Sequence, residues 1–233
     1  SALGRFCAHG ARVSVHCAGR TDAGVHALQQ VVHFDTTLVR EMASWVRGVN
    51  RYLPDDIAVR WAQSVPADFH CRSQAITRRY VLLDSPVRPA LGAHRVGWTF
   101  RPVDEKAMQQ AASALLGEHD FSSFRAAACQ ALSPVKTLHK LNIRRQGDLV
   151  LCEFEASAFL HHMVRNIMAC LLAVGRGSQP VAWMAEVLAA KNRLAAAATF
   201  APDGLYFLGP RYAPHWGLPD LYDSDNLLAA LLS

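Results

Sequence analysis

Along this chain, hydrophobic residues switch between a period of two and a period near 3.6, and the switches mark out short elements. RVSVHCA, residues 12–18, sets Val13, Val15 and Cys17 against Ser14 and His16. That alternation predicts a half-buried strand. QVVHFD at 30–35 reads as a second strand, so residues 19–29 become the connection between them. In REMASWVRGVNRYL, residues 40–53, Met42, Trp45, Val46, Val49, Tyr52 and Leu53 recur at helical spacing. Pro54, Asp55 and Asp56 end that helix. IAVRWAQ at 57–63 alternates Ile57, Val59 and Trp61 and predicts a strand; the polar loop PADFHCRSQA follows at 66–75.

The second half opens with a strand, TRRYVLLDS, at 77–85. VDEKAMQQAASALLG at 103–117 is a helix, with acids in the first turn to complement its dipole and Gly117 as its stop. DLVLCEFEASAF at 148–159 is a strand whose apolar face carries Val150, Cys152, Phe154 and Ala156. HHMVRNIMACLLAVG at 161–175 and PVAWMAEVLAAKN at 180–192 are helical, the second with Pro180 near its start. GLYFLGPRY at 204–212 is a late strand. Strands with interspersed helices, without regular βαβ alternation, indicate an α+β chain. The seam falls near residue 74, giving an N-terminal α+β domain at 1–74 and a C-terminal one at 75–233. There is no internal repeat and no low-complexity tract.

Composition narrows this picture only modestly. At 233 residues and 51% hydrophobic, the chain is long enough for one large or two small domains with real cores. A net charge of +5 suits a polyanionic partner without requiring one. The six cysteines form no CxxC pair, so they read as reduced thiols in a cytoplasmic protein. No apolar run approaches the roughly 18 residues of a membrane span, and no signal peptide is visible. The chain starts at Ser1 rather than at a methionine, which leaves room for a native start upstream.

The chemistry concentrates in the first strand connection, where Gly19-Arg20-Thr21-Asp22-Ala23-Gly24 sets an acid and a base on permissive backbone. The spacing fits neither GxGxxG nor GxxxxGK[ST], so it is no phosphate loop. Two readings remain: a tight turn in which Asp22 hydrogen-bonds its own backbone, or Asp22 as a nucleophile. A nucleophilic carboxylate must be ionised and held in line, and a nearby arginine favours that state. Arg20, Arg78, Arg79 and Arg165 are candidates. Arg165 stands out because it sits beside Val164, Ile167 and Met168 on an apolar helix, where an arginine needs a partner. Tyr80 by itself reads as an ordinary core tyrosine. His161 and His162 resemble metal ligands, but on a helix adjacent residues point apart, and there is no HExxH, so no metal is expected.

GRTDAGVHA with QVVHF after it resembles the catalytic motif of the bacterial tRNA pseudouridine synthase A family. HCRSQAITRRY at 70–80, DFSSFRA at 120–126, FLHHMVRNIM at 159–168 and DGLYFL at 203–208 are similar to further family segments, in family order. The resemblance spans nearly the whole chain. It departs at the start: a first strand and a YxGWQ-type segment are missing, as though the chain began inside the first helix.

The resemblance implies two RRM-like α/β-sandwich domains, with antiparallel or mixed sheets flanking a basic active-site cleft. It implies isomerisation of uridine to pseudouridine at positions 38, 39 and 40 of the tRNA anticodon stem-loop, by a cytoplasmic homodimer. The reaction is redox-neutral and consumes no water, so neither cofactor nor metal is implied. Asp22 matches the nucleophile, acting at ribose C1′ or through a glycal. Tyr80 would lie against the target uracil, as flipped bases are held by stacking. Arg165 would pair with Asp22, Arg20 would fill the space the flipped base leaves, and Leu205 would wall the uracil pocket. Arg72, Arg78, Arg79 and Arg125 are candidate phosphate contacts. The alternatives are an inactive tRNA- or RNA-binding protein of the same fold and a metal-dependent hydrolase built on the paired histidines.

Overall fold

A computed structural model describes residues 2–8 and 13–221. In chain order its elements are α1 (Ala2–Ala8), β1 (His16–Cys17), β2 (His26–Ala27), β3 (Val32–His33), α2 (Met42–Asn50), β4 (Ala75–Ser85), β5 (Gly97–Trp98), α3 (Glu105–Ala112), β6 (Gly117–Asp120), β7 (Val135–Gln146), β8 (Leu149–Ala156), α4 (Met163–Gly175), α5 (Trp183–Ala190) and β9 (Leu205–Tyr212). The class is α+β, as the sequence pattern indicates. The chain forms two compact units. Among the described residues, one comprises 2–8, 13–19, 31–75 and 212–219; the other comprises 20–30, 76–211 and 220–221. The GRTDAG stretch from Arg20 onward therefore packs with the larger unit.

In the smaller unit β1 and β3 pair antiparallel, with His16 opposite His33 and Cys17 opposite Val32. Its core gathers Ala18, Val31, Phe69, Cys71 and Trp216. The expected first strand is formed only over its last residues, and Arg12 lies outside the described residues. Helix α2 forms as its periodicity predicts and buries Trp45 and Val49. The strand expected at 57–63 does not form. Its alternation is real, but the Asn50 side chain takes up the backbone of Val59, accepting from its N–H at 2.6 Å and donating to its carbonyl at 2.9 Å. A side-chain amide thus does locally what a neighbouring strand would otherwise do.

The larger unit is a mixed sheet in the order β2-β9-β4-β8-β7-β6, with β5 also paired to β4. β2 runs parallel to β9 and β5 parallel to β4, while β4, β8, β7 and β6 pair antiparallel in turn. Helices α3, α4 and α5 bury Met108, Met163, Ile167, Met168, Met184 and Val187 with Leu82, Cys152 and Phe154 of the sheet in one core. Each such fully buried large side chain contributes about 1.5–3 kcal/mol. Helix α3 starts at a proper cap, where Asp104 Oδ1 accepts from the N–H groups of Lys106 and Ala107. Sequence periodicity misses β7 because a bulge between Leu138 and Lys140 shifts its register. Across the bulge Leu138 and Leu141 stand three apart instead of two, which no longer reads as a strand.

Candidate active site

The site is built within the larger unit, and its first component is the turn that carries Asp22. The Asp22 carbonyl accepts from the Val25 N–H at 3.1 Å, and Gly24 sits at φ +83°, in the left-handed region. A Cβ at Gly24 would also come within 2.9 Å of Pro202 Cγ, so glycine is required on two counts. Gly19, at the other end of the motif, has no positive φ. The chain then enters β2, where His26 pairs with Tyr206 and Ala27 with Phe207. The start of β9 is fixed in turn at Gly204 (φ +76°), where a Cβ would fall 2.2 Å from the Leu83 carbonyl oxygen. Asp22 is thereby anchored, through β2 and β9, to the centre of the sheet.

The second component is Arg165, the third residue of α4, in its first turn. Its Nη1 donates to Asp22 Oδ2 at 2.7 Å, and its Nε donates to the Phe200 carbonyl at 2.8 Å. Two bonds from one rigid fork fix the guanidinium in place, and the contact to Asp22 is a charge-assisted one. The unusual arginine on an apolar helix thus has its partner, 143 positions away in sequence. The Asp22 carboxylate is engaged in this contact, with Arg165 Nη1 as the donor to its Oδ2.

His161 and His162 correct the sequence analysis. They do not diverge, because they are not on the helix: α4 begins at Met163, and His162 takes a left-handed conformation (φ 62°) just before it. The two rings pack at 4.0 Å between centroids. Their Nε2 atoms both face Asp22, His161 at 3.5 Å from Oδ1 and His162 at 3.3 Å from Oδ2. Burial lowers the His162 pKa below its ordinary value, and the Asp22 charge opposes this. Asp22, His161 and His162 bring ligand-type atoms within 4.8 Å of one another. A divalent cation there would meet the Arg165 guanidinium on Asp22 Oδ2, and that positive charge opposes it.

Tyr80 lies on β4, with its ring edge-on to Phe159 (5.1 Å between centroids) and tilted against Phe207 (4.9 Å). Burial, and then the Asp22 charge, push its phenol well above the ordinary tyrosine value, so it stands as a neutral hydroxyl. Leu205 is buried at the start of β9 in the main core. Arg20 is exposed.

The four arginines expected to face phosphates divide. Arg72 is exposed, with Nε donating to the Cys17 carbonyl at 3.3 Å. Arg78 donates to the Ser157 carbonyl at 2.8 Å. Arg125 spans the carbonyls of Cys129 and Ala131, both at 2.8 Å, and holds its own loop. Arg79 differs from the other three: its side chain is 7% exposed and ion-paired with Asp220. It points inward because it shares a sheet face with Val81 and Leu83, which are fully buried.

In the smaller unit, His33, His70 and Cys71 also bring ligand-type atoms together, a grouping that their spacing of 33, 70 and 71 hides. There the Nδ1 of His33 accepts from the Cys71 N–H, and that of His70 from the N–H groups of Arg72 and Ser73. Both ring lone pairs are in use by the backbone.

An aspartate held by an arginine beside a partly buried tyrosine, on a mixed α+β sheet, is a constellation suited to acting on an electrophilic carbon. A family model described as tRNA pseudouridine synthase matches residues 3–73 and 111–213. The matched segments include Asp22, Arg165 and Leu205; Tyr80 falls between them. The chain is 65% identical over 221 residues to tRNA pseudouridine synthase A of Albidiferax ferrireducens, covering 94% of this chain and 84% of that protein. It is 62% identical over 224 residues to the protein of the same name from Polaromonas naphthalenivorans, with the same coverage of both chains. The chain belongs to the tRNA pseudouridine synthase A family.

Proposed function

We propose that this chain is a tRNA pseudouridine synthase that isomerises uridine at positions 38, 39 and 40 of the anticodon stem-loop, with Asp22 as nucleophile. The observation that carries the reading is the Arg165–Asp22 contact inside the GRTDAG and HHMVRN motifs, on a family member. The guanidinium holds Oδ2 and leaves Oδ1 to react. The C1′–N1 bond breaks, the base turns, and C5 bonds to C1′. The proton lost from C5 is balanced by one gained at N1, so the reaction needs no co-reactant.

Tyr80, protonated and flanked by Phe159 and Phe207, supplies a face for the detached base. Leu205 supplies apolar wall, and Arg20, exposed, occupies the space the base vacates. Arg72 and Arg78 contact the tRNA backbone. Family membership also supports action as a homodimer in the cytoplasm. Among the described residues no helix is long and apolar enough to cross a membrane.

The test is incubation of the purified protein with unmodified tRNA, followed by pseudouridine-specific chemical derivatisation mapped position by position. Product at 38–40 is expected. No product on any tRNA, or product confined to other positions, contradicts the proposal.

A further inference from the structure

The Asp22 carboxylate is asymmetric. Oδ2 is held by Arg165 at 2.7 Å, whereas Oδ1 accepts no hydrogen bond among the described residues. The polar side chain facing Oδ1 is His161, whose Nε2 is 3.5 Å away. Exposure rises across the site in the same sense. The side chain of Arg165 is 14% exposed, Asp22 23%, His162 28% and His161 41%. A substrate arriving from solvent therefore meets the His161 side of the carboxylate.

The backbone of His161 is fixed: its N–H donates to Cys129 Sγ at 3.4 Å and its carbonyl accepts from Ala126 at 3.0 Å. Its ring is backed by His162 at 4.0 Å. A lone pair on Nε2 aimed at a carboxylate would be repelled, so the tautomer with the proton on Nε2 is favoured. An N–H donor on a held backbone thus stands beside the reacting oxygen, 3.5 Å from Asp22 Oδ1 and in no hydrogen bond to a third group among the described residues.

From this arrangement, and resting on the nucleophile reading above, the geometry points to His161 as a catalytic hydrogen-bond donor to the uracil carbonyl. When C1′–N1 breaks, the electron pair leaves with N1 and spreads onto O2 and O4. A donor 3.5 Å from the attacking oxygen is within reach of the carbonyl next to N1. Half a turn of the ring about its N3–C6 axis exchanges N1 with C5 and also O2 with O4. The same N–H therefore meets O2 as the base departs and O4 as C5 returns to C1′. His161 keeps its proton throughout, and stabilises charge only where charge develops.

The experiment uses the full chain with His161→Ala, His161→Gln and His161→Phe. Single-turnover rates and tRNA affinities are measured on anticodon arms carrying uridine, 2-thiouridine or 2′-deoxyuridine at the target. His161→Ala should slow chemistry about 100-fold with affinity unchanged. His161→Gln, whose amide nitrogen reaches the same place, should restore part of the rate. His161→Phe keeps the packing without the donor and should be as slow as Ala; it carries the test if the Ala variant does not fold. On 2-thiouridine, whose sulfur accepts weakly, the gap between wild type and His161→Ala should shrink.

Four results overturn the assignment: a rate within about twofold of wild type, a parallel loss of affinity, Gln no better than Ala, or a gap that persists on 2-thiouridine and vanishes on 2′-deoxyuridine. The last would place the donor on the ribose hydroxyl. Asp22→Asn, run alongside, separates the two readings. An active Asp22→Asn with a slow His161→Ala removes the nucleophile and leaves the donor. An inactive Asp22→Asn with a wild-type His161→Ala removes the donor alone.

Discussion

The Arg165 guanidinium donates to the Asp22 carboxylate at 2.7 Å, joining the first turn of α4 to a loop 143 positions earlier. The contact depends on three fixed pieces of backbone. Gly24 lets the loop turn, Gly204 lets β9 lie close to β4, and the Phe200 carbonyl holds the other end of the guanidinium.

Arg165→Met keeps a long apolar stem for packing and removes both bonds. The pseudouridine-forming rate should fall at least about 100-fold, as for loss of a preorganised electrostatic contact. Affinity for tRNA should change far less. Arg165→Lys should recover only part of the rate, since an ammonium cannot bind Asp22 Oδ2 and the Phe200 carbonyl with one planar fork. Single-turnover rates beside equilibrium binding check this; an equal loss in both would make Arg165 a binding residue.

The arginines of the RRY region should separate by burial. Arg72 is exposed, so Arg72→Ala should weaken tRNA binding and reduce its salt dependence by about one phosphate contact. Arg79 is buried against Asp220, so Arg79→Ala should lower stability by about 1–3 kcal/mol and leave the salt slope alone. Binding titrations at several salt concentrations, with urea unfolding curves for both variants, distinguish the two outcomes.

Asp84 supplies a pH dependence of stability. It is buried, with Oδ2 accepting from Thr99 at 2.6 Å and Oδ1 buried without a partner. Burial raises its pKa to about 6, against an ordinary 3.8. The folded state therefore holds this proton where the unfolded chain has lost it. Its ionisation costs nothing below about pH 4, and the full cost is present above about pH 6. That cost is at most about 3 kcal/mol, from a difference of about two at 1.36 kcal/mol per pKa unit. Asp84→Asn should match wild type near pH 4 and be the more stable protein near pH 7.5. Urea midpoints at both values test this; an equal difference at both would exclude Asp84 as the source.

Much of this was legible in the sequence. Helices α2, α4 and α5 and strands β4, β8 and β9 follow from the apolar pattern and its punctuation, although β8 and β9 are buried on both faces rather than one. What was lost has local causes: the bulge at Leu138 breaks the spacing of β7, and Asn50 satisfies Val59 where a strand was expected. At the site, the Asp22–Arg165 pair came from motif resemblance and from the oddity of an arginine on an apolar helix. The histidines were misread because helical directions were applied to residues that precede the helix. The left-handed backbone of His162, which turns both rings onto Asp22, has no signature in His-His-Met. The burial of Arg79 was not legible either, because alternation does not tell which face of a strand buried on both sides receives a charge.

The central claim is that Asp22 is the reacting carboxylate of a pseudouridine synthase. The direct measurement is release of tritium from tRNA carrying 5-tritiated uridine, since bonding C5 to C1′ expels the C5 hydrogen. Wild-type protein should release it, whereas Asp22→Asn, which keeps size and loses the charge, should release none while still folding and binding tRNA. Appreciable release by a clean Asp22→Asn preparation would contradict the account.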